Sequence, residues 1–536
     1  MPNHTFKTGE SREQACLLPP RIEDYVGPNN PVRAIESFVS ALDVAKLGFR
    51  YAERGVEVGQ PPYDPADLLK LYLYGYINQV RSSRRLEREA CRNLELIWLL
   101  KNLKPGYRTI ANFRKENWEA LKAANRSFVL LIRELGLVGG ILVAVDGALF
   151  HGNASKGSIF TRRKLAEQIA NLDEDIEAYG RSVEHNDTAE ASRTNDHGDG
   201  GGGDGGDPGA KVAALMARRS RALADLEGLD RGNRRQLSLT DPDARLLSKG
   251  DQTVAGYNVQ SVVDDKHKLI VASEVVNSSD AGHLHAMAKA AKEVLEAQSL
   301  QVLADAGYYN SADLKACEDD GIVAYVPPTE GNGMLEKQGR FSRKDFSYDG
   351  ATDAYRCPAG ELLLPTKGRW QNTSGRIEIR YLSRKAICGA CRLRTRCLAP
   401  KATQRLIGRW EHEDVIERHR ARMQSADADK LMRRRSAIVE HPFGTLKCRA
   451  GYRHFLVRGF NKVRGEWSLM ALCYNFTRVL NILGFERFVA VVAKAILLRK
   501  TDLPTVGGLL QRALEALWTK MSHGMSIRTS QPVLLR

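Results

Sequence analysis

At 536 residues the chain is too long for one ordinary hydrophobic core and calls for two to four domains. Hydrophobic residues make up 43% and charged residues 27%, a globular composition, while 80 Lys and Arg against 64 Asp and Glu leave a net charge of +16 that favours an anionic partner. No apolar run approaches the roughly eighteen residues of a spanning helix, and the opening MPNHTFKTGESREQ lacks the layout of a secretory signal, so membranes drop out, a cytoplasmic location is expected and nucleic acid remains.

The basic excess is concentrated. From Arg405 to Arg464 there are 15 basic and 7 acidic side chains, about half of the net charge in one stretch.

Residues 30 to 135 read as helical. Asp64-Pro65 forms a helix start, an acidic cap followed by proline in the first turn, and Ala66 to Val80 carries Leu68, Leu69, Leu71, Tyr72 and Tyr76 on a broad apolar stripe. A second helix, SSRRLEREACRNLELIWLL, is capped by Ser82 or Ser83, and a third runs from Thr109 to Leu121 with Ile110, Phe113 and Trp118 inward. Arg84, Arg85, Arg88, Arg108 and Arg114 on outer faces suit a helix-turn-helix-like DNA reader; a helical bundle with a solvated basic surface fits the pattern equally.

Then the texture changes. Ile141 to Val145 is a buried strand stopping at Asp146-Gly147. Residues 156 to 246 interrupt, with charged helical stretches around the glycine-rich tract DGGGGDGGDPG, a flexible linker by composition. Strands resume at Tyr257–Asp264 and Leu269–Val276, a helix follows from His283 to Ala297, and Leu300 to Ala304 is a further strand ending at Asp305. After another helix comes a fifth strand, Ile322–Val326. This order predicts a mixed α/β sheet whose parallel members are joined through helices. Residues 327 to 405 break the rhythm, helix returns over 411 to 447 and 466 to 498, and the last dozen residues read as disordered.

Two aspartates at the ends of buried strands sit where an open α/β sheet binds ligands, and paired carboxylates there suit Mg²⁺ or Mn²⁺. Asp-Gly after a strand is also ordinary turn chemistry. Glu440, on a helix inside the basic stretch, lies seven residues before Lys447, so both share one helix face. A carboxylate beside a lysine able to hold a phosphate suits phosphoryl transfer.

These segments together carry a resemblance. VAVDGALFHGNAS, GYNVQSVVD, QVLADAGYYN and VEHPFGTLKCRAGYRHFLVRG, in that order, resemble the DDE transposases of bacterial insertion sequences, and the Glu-(six residues)-Lys spacing is part of that signature. The resemblance implies an RNase H-like sheet flanked by helices in which Asp146, Asp305 and Glu440 hold two Mg²⁺ or Mn²⁺ ions for DNA cleavage and strand transfer. It implies a helical, DNA-binding amino-terminal domain over 1–135 and a catalytic domain over 136–500. Insertions would occupy 156–246 and 327–405, with a tail over 501–536. Double-stranded DNA, both terminal inverted repeats and target, is the implied partner, bound by a homo-oligomer in a synaptic complex. Lys447 would contact a phosphate near the element's end. Ser436 stands where related signatures place an arginine, with Arg433, Arg434 and Arg435 just ahead. A catalytically inactive DNA-binding derivative and a structure-specific nuclease on the same fold are the other readings.

Two features stand apart from the carboxylates. Cys388-Gly-Ala-Cys391, with Cys397 downstream and Cys357 in a Cys-Pro-Ala-Gly turn upstream, suits one structural zinc, reduced unmetallated cysteines being the alternative. Tyr452, His454, Phe455, Phe460 and Trp467 interleave with Arg449, Arg453, Arg458 and Lys462, a pattern that can stack an unpaired base or simply edge a core.

Overall fold

The computed structural model describes residues 21–52, 61–191, 208–232, 235–329, 333–371 and 375–500. The glycine-rich tract up to 207 and the tail after 500 lie outside them.

The first helices are α1 (Val32–Ser40), α2 (Pro65–Ile77), α3 (Ser83–Arg92), α4 (Leu94–Leu99), α5 (Tyr107–Glu116) and α6 (Trp118–Glu134). Asp64 caps α2 as expected, accepting from the Ala66 N–H at 2.8 Å. The second and third expected helices are each divided at an asparagine. Asn93 closes α3 and caps α4 with its side chain, accepting from the Glu95 and Leu96 N–H groups. Asn117 separates α5 from α6, its amide turned back onto the Phe113 carbonyl. A short polar side chain that competes for backbone groups breaks a helix whose apolar stripe runs on.

The central sheet begins with β1 (Leu142–His151). Asp146 therefore lies within a ten-residue strand, not at its end; β1 runs on because β5 pairs with it all the way to His151. The insertion follows: β2 (Ile159–Thr161), α7 (Arg162–Ala191), α8 (Pro208–Arg231) and β3 (Gln236–Ser238). Strands β2 and β3 pair with each other, and the two helices pack through Leu165, Ala222 and Leu229. Next come β4 (Arg245–Lys249), β5 (Gln252–Asp264), β6 (Ile270–Val276), α9 (Leu284–Leu295), β7 (Leu300–Leu303), α10 (Ser311–Asp319) and β8 (Ile322–Tyr325).

The order across the sheet is β4-β5-β1-β7-β8, with β6 also paired to β5. Strands β4, β5, β6 and β1 are joined antiparallel, whereas β1, β7 and β8 run parallel. Both faces are covered. Val143, Val145 and Val262 pack against α9, while Ala144, Phe150 and Val259 join a core with the helices at either end of the chain. Each such side chain, once buried, contributes about 1.5 to 3 kcal/mol, which is why these strands read as nearly unbroken apolar runs.

Residues 333–410 hold α11 (Gly333–Lys337) and a second sheet. It is formed by β9 (Ser347–Asp349), β10 (Ala354–Arg356), β11 (Leu362–Gln371), β12 (Ile377–Leu382) and β13 (Leu406–Trp410), with short helices α12 (Lys385–Gly389) and α13 (Arg394–Cys397) before the last strand. Its core is small: Phe346, Tyr355, Leu363, Tyr381 and Ile407.

The last helices are α14 (Glu413–Met423), α15 (Ala426–Gly444), α16 (Phe460–Leu483) and α17 (Phe485–Lys500). The single helix expected over 411–447 is divided where Ser425 caps α15, accepting from the Ala428 N–H. Pro442 lies inside α15, and a π-helical turn over Thr445–Arg449 follows. Proline removes one ladder donor, and the wider turn accommodates the extra residue. Helix α16 packs on α2 and α6, so the first helices share one core with the last through Tyr72, Phe128, Trp467 and Phe476.

Buried among them is a charge. Glu466, with no exposed surface, accepts from Tyr76 Oη at 3.0 Å and from the Leu456 and Val457 N–H groups, with Arg114 Nη1 at 3.5 Å and Arg81 Nη1 at 3.9 Å. Arg114, expected on an outer face, is thus a core residue lying over the Tyr72 ring; a guanidinium can be buried because a buried carboxylate waits for it.

Candidate functional site

Strands β1 and β7 run parallel, and beyond the end of β7 stands Asp305, whose Oδ1 accepts from the Gly307 N–H at 2.9 Å. Asp146 on β1 lies two residues past the last residue paired to β7 and accepts from the Gly147 N–H at 2.9 Å. The two expected aspartates do meet. What joins them is a lysine: Lys249 Nζ, from the last residue of β4, lies 3.0 Å from Asp146 Oδ1 and 3.7 Å from Asp305 Oδ2, and donates to the Gly147 carbonyl at 2.7 Å.

A third carboxylate shares that ammonium. Asp280, from the loop between β6 and α9, places Oδ2 3.0 Å from Lys249 Nζ. Its Oδ1 accepts from Asn258 Nδ2 and Gln260 Nε2, both at 2.8 Å, and Gln260 in turn accepts from the buried Tyr308 hydroxyl. The packing is tight at Gly147, where a Cβ would run into Asp280 Oδ1, Gln260 Nε2 and Asn258 Oδ1.

Electrostatics follow the geometry. Burial pushes the Asp146 carboxyl above its usual range, against the pull of Lys249. For Asp280 burial acts upward too, but the bonds from Asn258, Lys249 and Gln260 outweigh it and hold the carboxyl below its usual range. Burial disfavours the Lys249 ammonium, yet Asp146 and Asp280 together raise its pKa. Hard oxygens around one cation are the donor chemistry of Mg²⁺ or Mn²⁺, and here the ammonium stands between them. Among the described residues no group of three or more His, Cys, Asp or Glu is gathered to hold a metal ion as it stands.

Glu440 is not among the carboxylates paired with Lys249. It is exposed on α15, and its carboxylate accepts from Ser436 Oγ one turn earlier. Lys447 lies on the π-helical turn, half-buried, donating to the Leu149 carbonyl of β1 at 2.9 Å with its ammonium 4.6 Å from the Phe150 ring centre. Glu440 and Lys447 thus differ in exposure, because the wider turn interrupts the straight helical register between them. Burial and the neighbouring Lys249 lower the Lys447 pKa.

The expected DNA-contacting arginines are spread over two surfaces. Arg433 and Arg434 are exposed on α15, Arg434 paired with Asp265, while Arg435 is half-buried and its charge acts on Asp146. Arg449 and Arg453 are exposed, and Arg84, Arg85, Arg88 and Arg108 are exposed on α3 and α5. Of the interleaved aromatics, Tyr452, Phe455 and Trp467 are buried in the core. They anchor the segment that pairs alongside the end of β1, where Phe455 N–H donates to the His151 carbonyl at 2.9 Å and His151 N–H donates to that of Arg453 at 3.0 Å.

At the far end of the second sheet, Cys357, Cys388, Cys391 and Cys397 line one cavity, each half-buried and none in a disulfide. Burial raises the Cys397 thiol pKa, and the other three thiols add to the effect.

Sequence reasoning missed Lys249 and Asp280. Lys249 precedes Gly250 in a two-residue turn and reads as hairpin punctuation; Asp280, just ahead of α9, reads as a capping residue.

Two family models match the chain: a transposase DDE domain over residues 356–480 and a transposase domain (DUF772) over residues 20–116. The matches make this a transposase. Together they support a DDE transposase of the insertion-sequence type. The first match contains Glu440, Lys447 and the four cysteines; Asp146, Lys249, Asp280 and Asp305 lie between the two. A cryo-electron microscopy structure of a piggyBac transposase synaptic complex with hairpin DNA is similar over 91% of this chain and 85% of its own, at a TM-score of 0.31 and 8% identity, a likeness too low to bear on fold or partners. No curated protein matches. No helix among the described residues is long and apolar enough to cross a membrane.

Proposed function

We propose that this transposase cuts and joins DNA at the ends of its element on an RNase H-like sheet, with Asp146 and Asp305 as metal-binding carboxylates. The observation that carries the reading is their meeting around one cationic position beside parallel strands. Three antiparallel strands followed by two parallel ones, with the first in the centre, is the sheet order the reading requires, and β6-β5-β1-β7-β8 follows it.

Bound there, divalent ions would activate a water or a DNA 3′-hydroxyl and stabilise the leaving oxygen of an in-line displacement. The protein's own part is positional. Asp146 is fixed by the β1 backbone and Asp305 by the turn after β7, so neither carboxylate has to be ordered when substrate arrives. Lys447 and Arg435, whose charges act on Asp146 or feel it, would meet the phosphate, and support comes from Lys447 being oriented by the Leu149 carbonyl. Glu440 would complete the carboxylate set from α15 once its hydroxyl partner Ser436 releases it. The exposed arginines of α3, α5 and α15 would grip the backbones of terminal repeat and target DNA within a homo-oligomeric synaptic complex. The four cysteines would hold a structural zinc, staking down a sheet whose own core is small.

The test is cleavage of labelled DNA bearing the element's flanking ends, with Mg²⁺ or Mn²⁺, beside the Asp305→Asn variant. Metal-dependent cutting at the ends that disappears in the variant is expected. Binding without cutting would leave a DNA-binding derivative, and cutting that survives in Asp305→Asn would overturn the site.

A further inference from the structure

The central acidic pocket holds more than the two aspartates need. Three carboxylates from three elements, β1, the loop before α9 and the turn after β7, converge on one ammonium. That ammonium sits on β4, an edge strand with a single ladder partner, at a two-residue turn whose Gly250 has φ +58°. Such a strand end yields more readily than the centre of the sheet. Asn258, 2% exposed, gives its amide nitrogen to Asp280 and the Ser278 carbonyl, while its Oδ1 has no hydrogen-bond partner and lies against Gly147. A buried acceptor without a donor at this point is an uncompensated cost that a hydrated cation would relieve. The absence of a side chain at position 147 is what lets Asp280, Gln260 and Asn258 close onto the β1 backbone beside Asp146.

We infer that Lys249 is a resident competitor for the divalent cation, its ammonium holding the cation's place among Asp146, Asp280 and Asp305, and that Asp280 becomes a ligand when the ion displaces it. This rests on the metal-dependent reading above and deepens it by adding a carboxylate and a built-in brake to the site. Three carboxylates against one ammonium leave two negative charges, so exchange for a divalent ion improves neutralisation while releasing Lys249 to solvent. The freed ammonium, whose charge already acts on Lys447, is then available to a phosphate.

The experiment is calorimetric titration of the full chain with Mn²⁺, comparing the wild type with Lys249→Met, Asp280→Asn and Asp305→Asn, without DNA. Removing the competitor is expected to tighten Mn²⁺ binding roughly tenfold, and Asp280→Asn to weaken it by about as much. Acetylation of lysines read by mass spectrometry gives a second readout: Lys249 reactivity should rise several-fold on adding Mn²⁺ to the wild type and stay flat in Asp305→Asn. Equal affinity in wild type and Lys249→Met, with Asp305→Asn weakened, would overturn the inference while leaving the metal reading intact. No Mn²⁺ binding in any folded variant would overturn both. Should Asp280→Asn fail to fold, Lys249→Met and the acetylation pattern decide the matter.

Discussion

The two sheets of this protein are held by different means. The six-stranded sheet is covered on both faces, and Asp146, Lys249, Asp280, Asn258 and Gln260 are linked into one network. The five-stranded sheet has a core of five side chains, and β11 is exposed along most of its length. A sheet so thinly covered gains little from burial and depends on local bonds at its edge. The difference teaches where rigidity was needed: positions that must be exact are held by the doubly covered sheet.

That contrast can be broken most directly at Gly147. Gly147→Ala forces a methyl into Asp280, Gln260 and Asn258 and is expected to cost about 3 kcal/mol or more in urea denaturation. The same change at Gly408 of the second sheet meets the flexible end of Glu378 and should cost about 0.5 kcal/mol or less. Equal costs at both would dissolve the distinction.

Leu363→Ala sharpens it from the other side. Leu363 is fully buried in the small core, and its truncation should cost about 2 to 3 kcal/mol. Hydrogen exchange should quicken across 347–410 while β1 and β5 keep their protection; uniform loss in both sheets would show one cooperative unit instead.

The smallest effect concerns the joint between the regions. His419 on α14, 2% exposed, bonds through Nε2 to the Val326 carbonyl just past β8 at 2.8 Å, and burial lowers its pKa from the ordinary 6.5. Because the folded value lies below the unfolded one, its contribution is complete above about pH 6.5 and is lost as pH falls through the folded value. Stability should therefore drop between pH 7 and 5, and His419→Gln should flatten that limb; an unchanged limb would place the acid sensitivity elsewhere.

How much of this was legible in the sequence follows from the same contrast. Strands β1, β5 and β7 are buried along most of their length and β6 and β8 along one face, so their apolar runs announce them, and with them Asp146 and Asp305. Strands β9 to β13 announce nothing, since residues such as Pro365, Lys367, Gly368 and Arg369 face solvent and leave no apolar period. Arg114 misled for the opposite reason: a charge in a helical pattern reads as surface until its partner is known, and Glu466 lies more than three hundred residues away. Lys249 and Asp280 belong with it. Their meeting is a tertiary fact, written in no local spacing.

The insertion has a consequence for engineering. Because β2 pairs with β3, and Gln236 is bonded through its side chain to Leu246 of β4, the excursion through α7 and α8 leaves and returns through adjacent doorways. The ends of the insertion are thus already brought together by β2 and β3, and each doubling of the length of a flexible segment with closed ends costs only about 0.6 kcal/mol. A fluorescent reporter grafted there would ride on the molecule without pulling on the sheet that carries the carboxylates.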